Sequence, residues 1–143
     1  MARLVFAIPC LSVLRDTDYD IPSYIHMVEG TTAESIPAEI YPFRIATYWF
    51  NPNPEPSRLH LRLRVVSPSG EELAERDLDP DRLTPLEHNG RYRINIGTPK
   101  IEAPEFGVYD YIVENKAVDG WETVASIPVS LDSPDEDDEV AGD

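Results

Sequence analysis

The sequence predicts an all-β sandwich of seven to nine mostly antiparallel strands. Three observations predict it: apolar and polar side chains alternate with period two, turn residues interrupt them at short intervals, and no ten-residue stretch has helical spacing. Alternation of this kind marks strands that rest one face on a core and show the other to water.

Taken along the chain, Leu4–Cys10 reads as the opening strand. A secretory leader is the rival reading of the first 14 residues, but Pro9 interrupts the apolar run and Arg15-Asp16 stands where small residues belong. Ser23–Glu29 and Phe43–Phe50 follow as strands. The latter is apolar on both faces and rich in aromatics, which predicts a central strand or one beneath a loop. Arg58–Val66 alternates most regularly, with Leu59, Leu61, Leu63 and Val65 on one face and Arg58, His60, Arg62 and Arg64 on the other. Ser67-Pro68-Ser69-Gly70 then predicts a hairpin into Glu71–Arg76. Tyr92, Ile94 and Ile96 alternate with Arg91, Arg93 and Asn95, and Tyr109, Tyr111 and Val113 mark another strand. In the last strand Trp121, Thr123, Ala125, Ile127, Val129 and Leu131 are expected to share one face. Proline- and glycine-rich segments at 51–57, 79–90, 97–107 and 117–120 supply the turns.

The chain has 143 residues, enough for one sizeable core and too few for two full domains. The expected division is a sandwich over residues 1–131 and an acidic, disordered tail over 132–143, whose composition cannot offset its ordering entropy. Twelve basic residues face 27 acidic ones, a net charge of −15. Residues 135–143 hold six of the acids, so the body keeps 21 acids against 12 bases. Neither balance suits a phosphate-backbone binder or docking on anionic lipid by charge, so neither nucleic acid nor membrane is expected as partner. The lone Cys10 cannot form an intrachain disulfide, which fits a reducing compartment and leads to a cytoplasmic expectation. It also removes the cysteine pair that pins many immunoglobulin domains, leaving apolar burial to hold the layers together.

Three features together resemble an uncharacterised prokaryotic family, a domain of unknown function with an immunoglobulin-like β-sandwich. They are the opening strand ending in Cys10 before an acidic loop, the Ser23–Gly30 segment ending in glycine, and LHLRLRVVSPSGEEL at 59–73. Glu105-Phe106-Gly107-Val108-Tyr109 likewise looks like the approach to a late strand of such folds. The resemblance spans residues 3–131 and implies a fold and no activity.

Four places could carry chemistry. Asp16, Asp18 and Asp20 are spaced like the first three oxygen ligands of a calcium loop, and Asp77, Asp79 and Asp81 repeat that spacing. Ile21 and Met27 stand where the calcium-loop template needs glycine and glutamate, and solvated turns explain the same acids. Arg58, Arg62, Arg64, Arg91 and Arg93 would form a basic stripe if their strands share a sheet, suited to bidentate recognition of carboxylate or phosphate. Pairing with Glu71, Glu72, Glu75 or Glu87 is the plainer reading. A sharper one lays the acidic tail on that stripe, in the same chain or in a neighbouring copy. His26, His60 and His88 have no paired spacing, Cys10 ends an apolar strand, and no phosphate-cradling loop is present, so no enzyme is expected. Tyr41, Phe43, Tyr48, Trp49 and Phe50 beside NPNPEP are read mainly as core, with a partner surface as the alternative. The sequence thus predicts a non-catalytic binding or structural module acting through loops or a sheet face on a protein partner or on a second copy. A sandwich binding calcium through its Asp-rich loops is the alternative, and no other cofactor is expected.

Overall fold

The structure is a computed structural model describing residues 2–15, 22–78 and 83–134, the side chains of 15 and 22–26 excepted. Among the described residues, eleven strands run in order: β1 (Arg3–Arg15), β2 (Pro22–Met27), β3 (Gly30–Thr32), β4 (Ala38–Ile40), β5 (Arg44–Phe50), β6 (Leu61–Val66), β7 (Glu72–Asp77), β8 (Arg91–Gly97), β9 (Ile101–Ala103), β10 (Gly107–Ala117) and β11 (Gly120–Asp132). They form a four-stranded sheet ordered β2-β1-β5-β8, a five-stranded sheet ordered β3-β11-β10-β6-β7, and the small pair β4-β9. All pairings are antiparallel except β3 with β11, which is parallel.

Period-two burial explains why the two larger sheets face each other. Leu61, Leu63 and Val65 of β6 and Tyr109, Tyr111 and Val113 of β10 meet Ile45 and Trp49 of β5 and Ile96 of β8 in one core. Trp49 is fully enclosed, its indole Nε1 donating to Thr47 Oγ1 at 2.8 Å, and Thr47 Oγ1 donates in turn to the Ile94 carbonyl at 2.8 Å. A buried indole N–H needs such a partner, and the relay ties β5 to β8 inside the core.

The expected hairpin at 67–70 forms as β6–β7. Gly70 takes φ +94° and its N–H donates to the Ser67 carbonyl at 2.9 Å, while Ser67 Oγ accepts from the Glu71 N–H at 3.0 Å. Gly107, which opens β10, takes φ +134°, and a Cβ there would lie 2.8 Å from Pro68 Cγ. Glycine is thus required twice over, by backbone angle and by the turn's close approach.

One expectation about facing is corrected. Val113 pairs with Ala125 but Glu114 pairs with Thr123, so Val124 is an extra residue, a β-bulge. One extra residue inverts every later side chain. Ala125, Ile127, Val129 and Leu131 therefore point inward as read from the sequence, whereas Trp121 and Thr123 turn to the outer face. A second bulge at Val5 separates the pairs Leu4–Trp49 and Phe6–Tyr48 and turns Phe6 outward. Arg58 to His60 precede β6 rather than joining it, held by the His60 N–H donating to Asn115 Oδ1 at 3.1 Å. The acidic segment expected to be disordered lies, beyond Pro134, outside the described residues.

Two buried tyrosines on β10 have opposite hydroxyl environments. Tyr109 donates its hydroxyl to the Glu105 carbonyl at 2.6 Å and accepts from the Glu105 N–H at 3.2 Å, closing the corner that leads into the strand. The Tyr111 hydroxyl is buried without a hydrogen-bond partner among the described residues. Tyr109→Phe is expected to lower the unfolding free energy by about 1 kcal/mol, the ordinary net worth of such a bond. Tyr111→Phe is expected to raise it by about 1 kcal/mol, because a desolvated, unmatched hydroxyl disappears. Burial lifts both phenols above their ordinary value of 10.0. The folded chain then holds these protons more tightly than the unfolded one, so stability is fully present below pH 10 and declines as the pH climbs past it. Urea midpoints for the two variants, measured from neutral to strongly alkaline pH, check the signs, and Tyr111→Phe should flatten the alkaline decline.

Candidate functional site

The four-stranded sheet carries an unusual outer face, built by the register of β1, β5 and β8. Arg3, Phe50 and Arg91 align in one cross-strand row, and Phe6, Tyr48 and Arg93 in the next. Ile8, Ala46 and Asn95 make the third row, and Cys10, Arg44 and Gly97 the fourth. The Phe6 and Tyr48 rings stack with centroids 5.3 Å apart and planes 16° from parallel. Arg93 covers the Tyr48 ring at 5.2 Å, while Arg3 and Arg91 lie 6.0 and 5.5 Å from the centre of Phe50. Strands are spaced about 4.8 Å apart, so rings stacked across them stand upright with their faces toward neighbours. Solvent meets ring edges and guanidinium groups. Both are electropositive, since an aromatic quadrupole is negative on the face and positive at the edge.

Among the described residues, no carboxylate lies within ion-pair distance of Arg3, Arg44, Arg91 or Arg93. All four are exposed. On a chain of net charge −15 this leaves one concentrated cationic face. A hollow of about 270 Å³ opens on it, lined by Arg3, Val5, Tyr48, Phe50 and Arg91. Cys10 and Ala46 are buried on the same face, outside the central core. Burial raises the Cys10 thiol above its ordinary pKa and the Arg44 guanidinium partly offsets that, so the thiol stays protonated and unreactive at neutral pH.

The basic stripe expected from the sequence is divided by the topology. Arg91 and Arg93 stand on this face, whereas Arg62 and Arg64 belong to β6 in the other sheet and point from its opposite outer surface. Arg58 precedes β6 and is exposed. Arg62 and Arg64 are also committed. Glu114, almost fully buried, accepts from Arg62 Nε at 3.0 Å, pairs with Arg62 Nη2 at the same distance and lies 3.7 Å from Arg64 Nε, while Glu75 and Glu72 sit 3.6 and 3.3 Å from Arg62 and Arg64 respectively. Trp121, turned outward by its bulge, packs under Arg62 at 4.2 Å and meets His60 edge-on at 4.9 Å. These arginines are thus paired with carboxylates on their own surface, although Arg64 Nε is buried without a hydrogen-bond partner among the described residues. Glu114→Gln should cost about 1–3 kcal/mol, as one buried carboxylate serves two partly covered guanidiniums. Chemical denaturation reads that loss; a change below about 0.5 kcal/mol would show the pairs to be ornamental.

Of the acids suggested as calcium ligands, only Asp77 lies among the described residues, and its Oδ1 is 2.8 Å from His60 Nε2. Asp16, Asp18, Asp20, Asp79 and Asp81 lie outside them. No group of three His, Cys, Asp or Glu side chains is placed to share a metal among the described residues. His88 Nδ1 sits 2.9 Å from the Asn53 carbonyl in the loop before β8, and the His26 side chain lies outside the described set. The aromatic cluster divides: Phe43 and Trp49 are core, Tyr48 and Phe50 belong to the outer face, and Tyr41 is 69% exposed. Tyr41 lines an apolar cleft of about 250 Å³ with Leu11, Met27, Val28 and Phe43, at the base of the arm formed where β1 outruns β5 and pairs with β2 alone.

Arg3 and Arg44 were absent from the sequence-derived set because they lie in segments apolar on both faces. Their shared exposure emerges only once β1, β5 and β8 are in register. Among the described residues, no helix is long and apolar enough to cross a membrane. No protein-family model matches the sequence, and no curated protein matches it.

Proposed function

We propose that the protein is a non-catalytic binding module whose docking surface is the outer face of the four-stranded sheet, and that its ligand is a carboxylate-rich peptide segment. The observation that carries this reading is the pair of cross-strand rows in which Arg3, Arg91 and Arg93 cap upright aromatic rings with no acidic partner among the described residues. Guanidinium forks held against rings lose less freedom on binding than free ones, and they match carboxylates in pairs. The net charge of −15 does not prevent this. At physiological ionic strength the Debye length is about 8 Å, so distant acids are screened and the local cations dominate.

A nucleobase ligand is disfavoured by the same geometry, because stacking needs free ring faces and here neighbours at 5.2–6.0 Å occupy them. The strand order supports an immunoglobulin-type topology, with β1-β5-β8 in the places of strands A, B and E and β11-β10-β6-β7 in those of G, F, C and C′. The Tyr109 bond to the Glu105 backbone matches the tyrosine corner of that fold. A reducing, cytoplasmic setting is supported by the single, buried Cys10.

Exposed ion pairs contribute about 0.2–1 kcal/mol each, so several of them with ring contacts predict a dissociation constant of roughly 0.1–1 mM. Fluorescence anisotropy of a labelled hexaglutamate peptide tests this. Saturable binding that weakens several-fold from 50 to 300 mM salt is expected; preference for oligo-dT of equal charge would overturn the reading.

A further inference from the structure

Resting on that reading, we infer that the acidic run after β11 is the ligand, presented in trans: residues 135–139 of one copy dock on the Arg3–Arg91–Arg93 end of the sheet face of a second copy. Charge complementarity makes the first half of the case. Asp135, Glu136, Asp137, Asp138 and Glu139 are consecutive carboxylates, the densest run of negative charge in the sequence. The outer face holds Arg3, Arg44, Arg91 and Arg93 without an acidic partner among the described residues.

Reach makes the second half, and it selects the other copy. The start of β11 lies beside Arg3, because Ala2, Arg3, Leu4, Glu122, Thr123 and Val124 line one hollow. The end of β11 lies at the opposite end of the sandwich, where Val129 shares a cleft with Phe43, the residue before Arg44. The chain therefore leaves Asp132 at the Arg44 end. The Arg3–Phe50–Arg91 row is six residues away along β5, about 20 Å at 3.3 Å per residue. Sheets stack about 10 Å apart, so even the direct route over the end of the sandwich is about 30 Å. Asp137, the middle of the acidic run, is five residues beyond Asp132, and a fully extended chain covers at most about 18 Å in that distance. Even Glu139, the far end of the run, reaches at most about 25 Å, so the run cannot lie across the Arg3–Phe50–Arg91 row of its own chain. A neighbouring copy has no such limit, and reciprocal exchange would give two contacts per dimer, each raising the effective concentration of the other.

Sedimentation velocity of the full chain between about 10 μM and 1 mM tests the inference, alongside a chain ending at Pro134 and the variant Arg3→Gln/Arg91→Gln/Arg93→Gln. The strands end at Asp132, so the shortened chain keeps every one of them. Concentration-dependent association of the full chain, lost in both altered proteins and weakened several-fold at 300 mM salt, is the expected result. A synthetic peptide of residues 133–143 added to the shortened chain should shift the amide resonances of Arg3, Phe50, Arg91 and Arg93. A monomer at 1 mM, or association that survives the truncation, overturns the inference. So does a monomeric full chain whose face resonances already occupy their peptide-bound positions, since that would be docking in cis. If hexaglutamate shifts the face and the 133–143 peptide does not, the inference fails while the binding reading stands; if neither does, both fail.

Discussion

Trp49→Ala is expected to lower the melting temperature by roughly 10–20 °C. The indole is fully buried in the core shared by the two layers, so its loss removes a large apolar area and leaves a cavity the surrounding sheets cannot fully collapse into. Such replacements cost about 3–5 kcal/mol, against a total of about 5–15 kcal/mol for a typical domain. For a chain of this size 1 kcal/mol corresponds to roughly 3–5 °C. Thr47 keeps its bond to the Ile94 carbonyl, so the β5–β8 pairing is not otherwise disturbed. Trp121→Ala is the matched control. That ring lies on the outer face under Arg62, and losing its cation–π contact at 4.2 Å should cost only about 1 kcal/mol. Equal losses at the two positions would mean that the layers do not enclose Trp49 as described.

Arg91→Glu/Arg93→Glu is expected to abolish hexaglutamate binding, a loss of at least about tenfold. The double reversal removes two attractive groups and places two carboxylates in the same rows, so each pair changes from favourable to unfavourable. Both residues are exposed on edge strand β8, and stability should change by less than about 1 kcal/mol. Arg62→Gln/Arg64→Gln offers the contrast. Those side chains are held by Glu114, Glu72 and Glu75 on the other sheet, so their loss should lower stability and leave peptide binding unchanged. Isothermal titration of both variants separates the two surfaces. Loss of binding in the β6 variant alone would move the site to the opposite face.

Much of the fold was legible because its strands alternate. Leu61, Leu63 and Val65 lie inward as their spacing requires, the turn at 67–70 forms, and Trp49 sits on a central strand as its two-sided apolar segment implies. Register was not legible. A bulge is one unpaired residue, and nothing in the composition of Val5 or Val124 distinguishes it from its neighbours; the inversion of Phe6 and Trp121 follows from pairing alone. Sheet membership was hidden for the same reason. Arg64 and Arg93 occur in similar alternating segments, yet β6 pairs with β10 and β8 with β5, partners separated by long stretches of chain. The short strands β3, β4 and β9 carry three residues each, too few for any periodicity. Half of the candidate site was therefore named in advance, Arg91 and Arg93. Arg3 and Arg44 joined it only through cross-strand neighbours.

Amide chemical-shift mapping with hexaglutamate most directly asks whether the cationic face is the docking surface. Saturable shifts concentrated at Arg3, Phe6, Tyr48, Phe50, Arg91 and Arg93 are expected, with the resonances of Arg62, Glu114 and Trp121 unmoved. Shifts confined to that second group, or no shift at millimolar peptide, would contradict it.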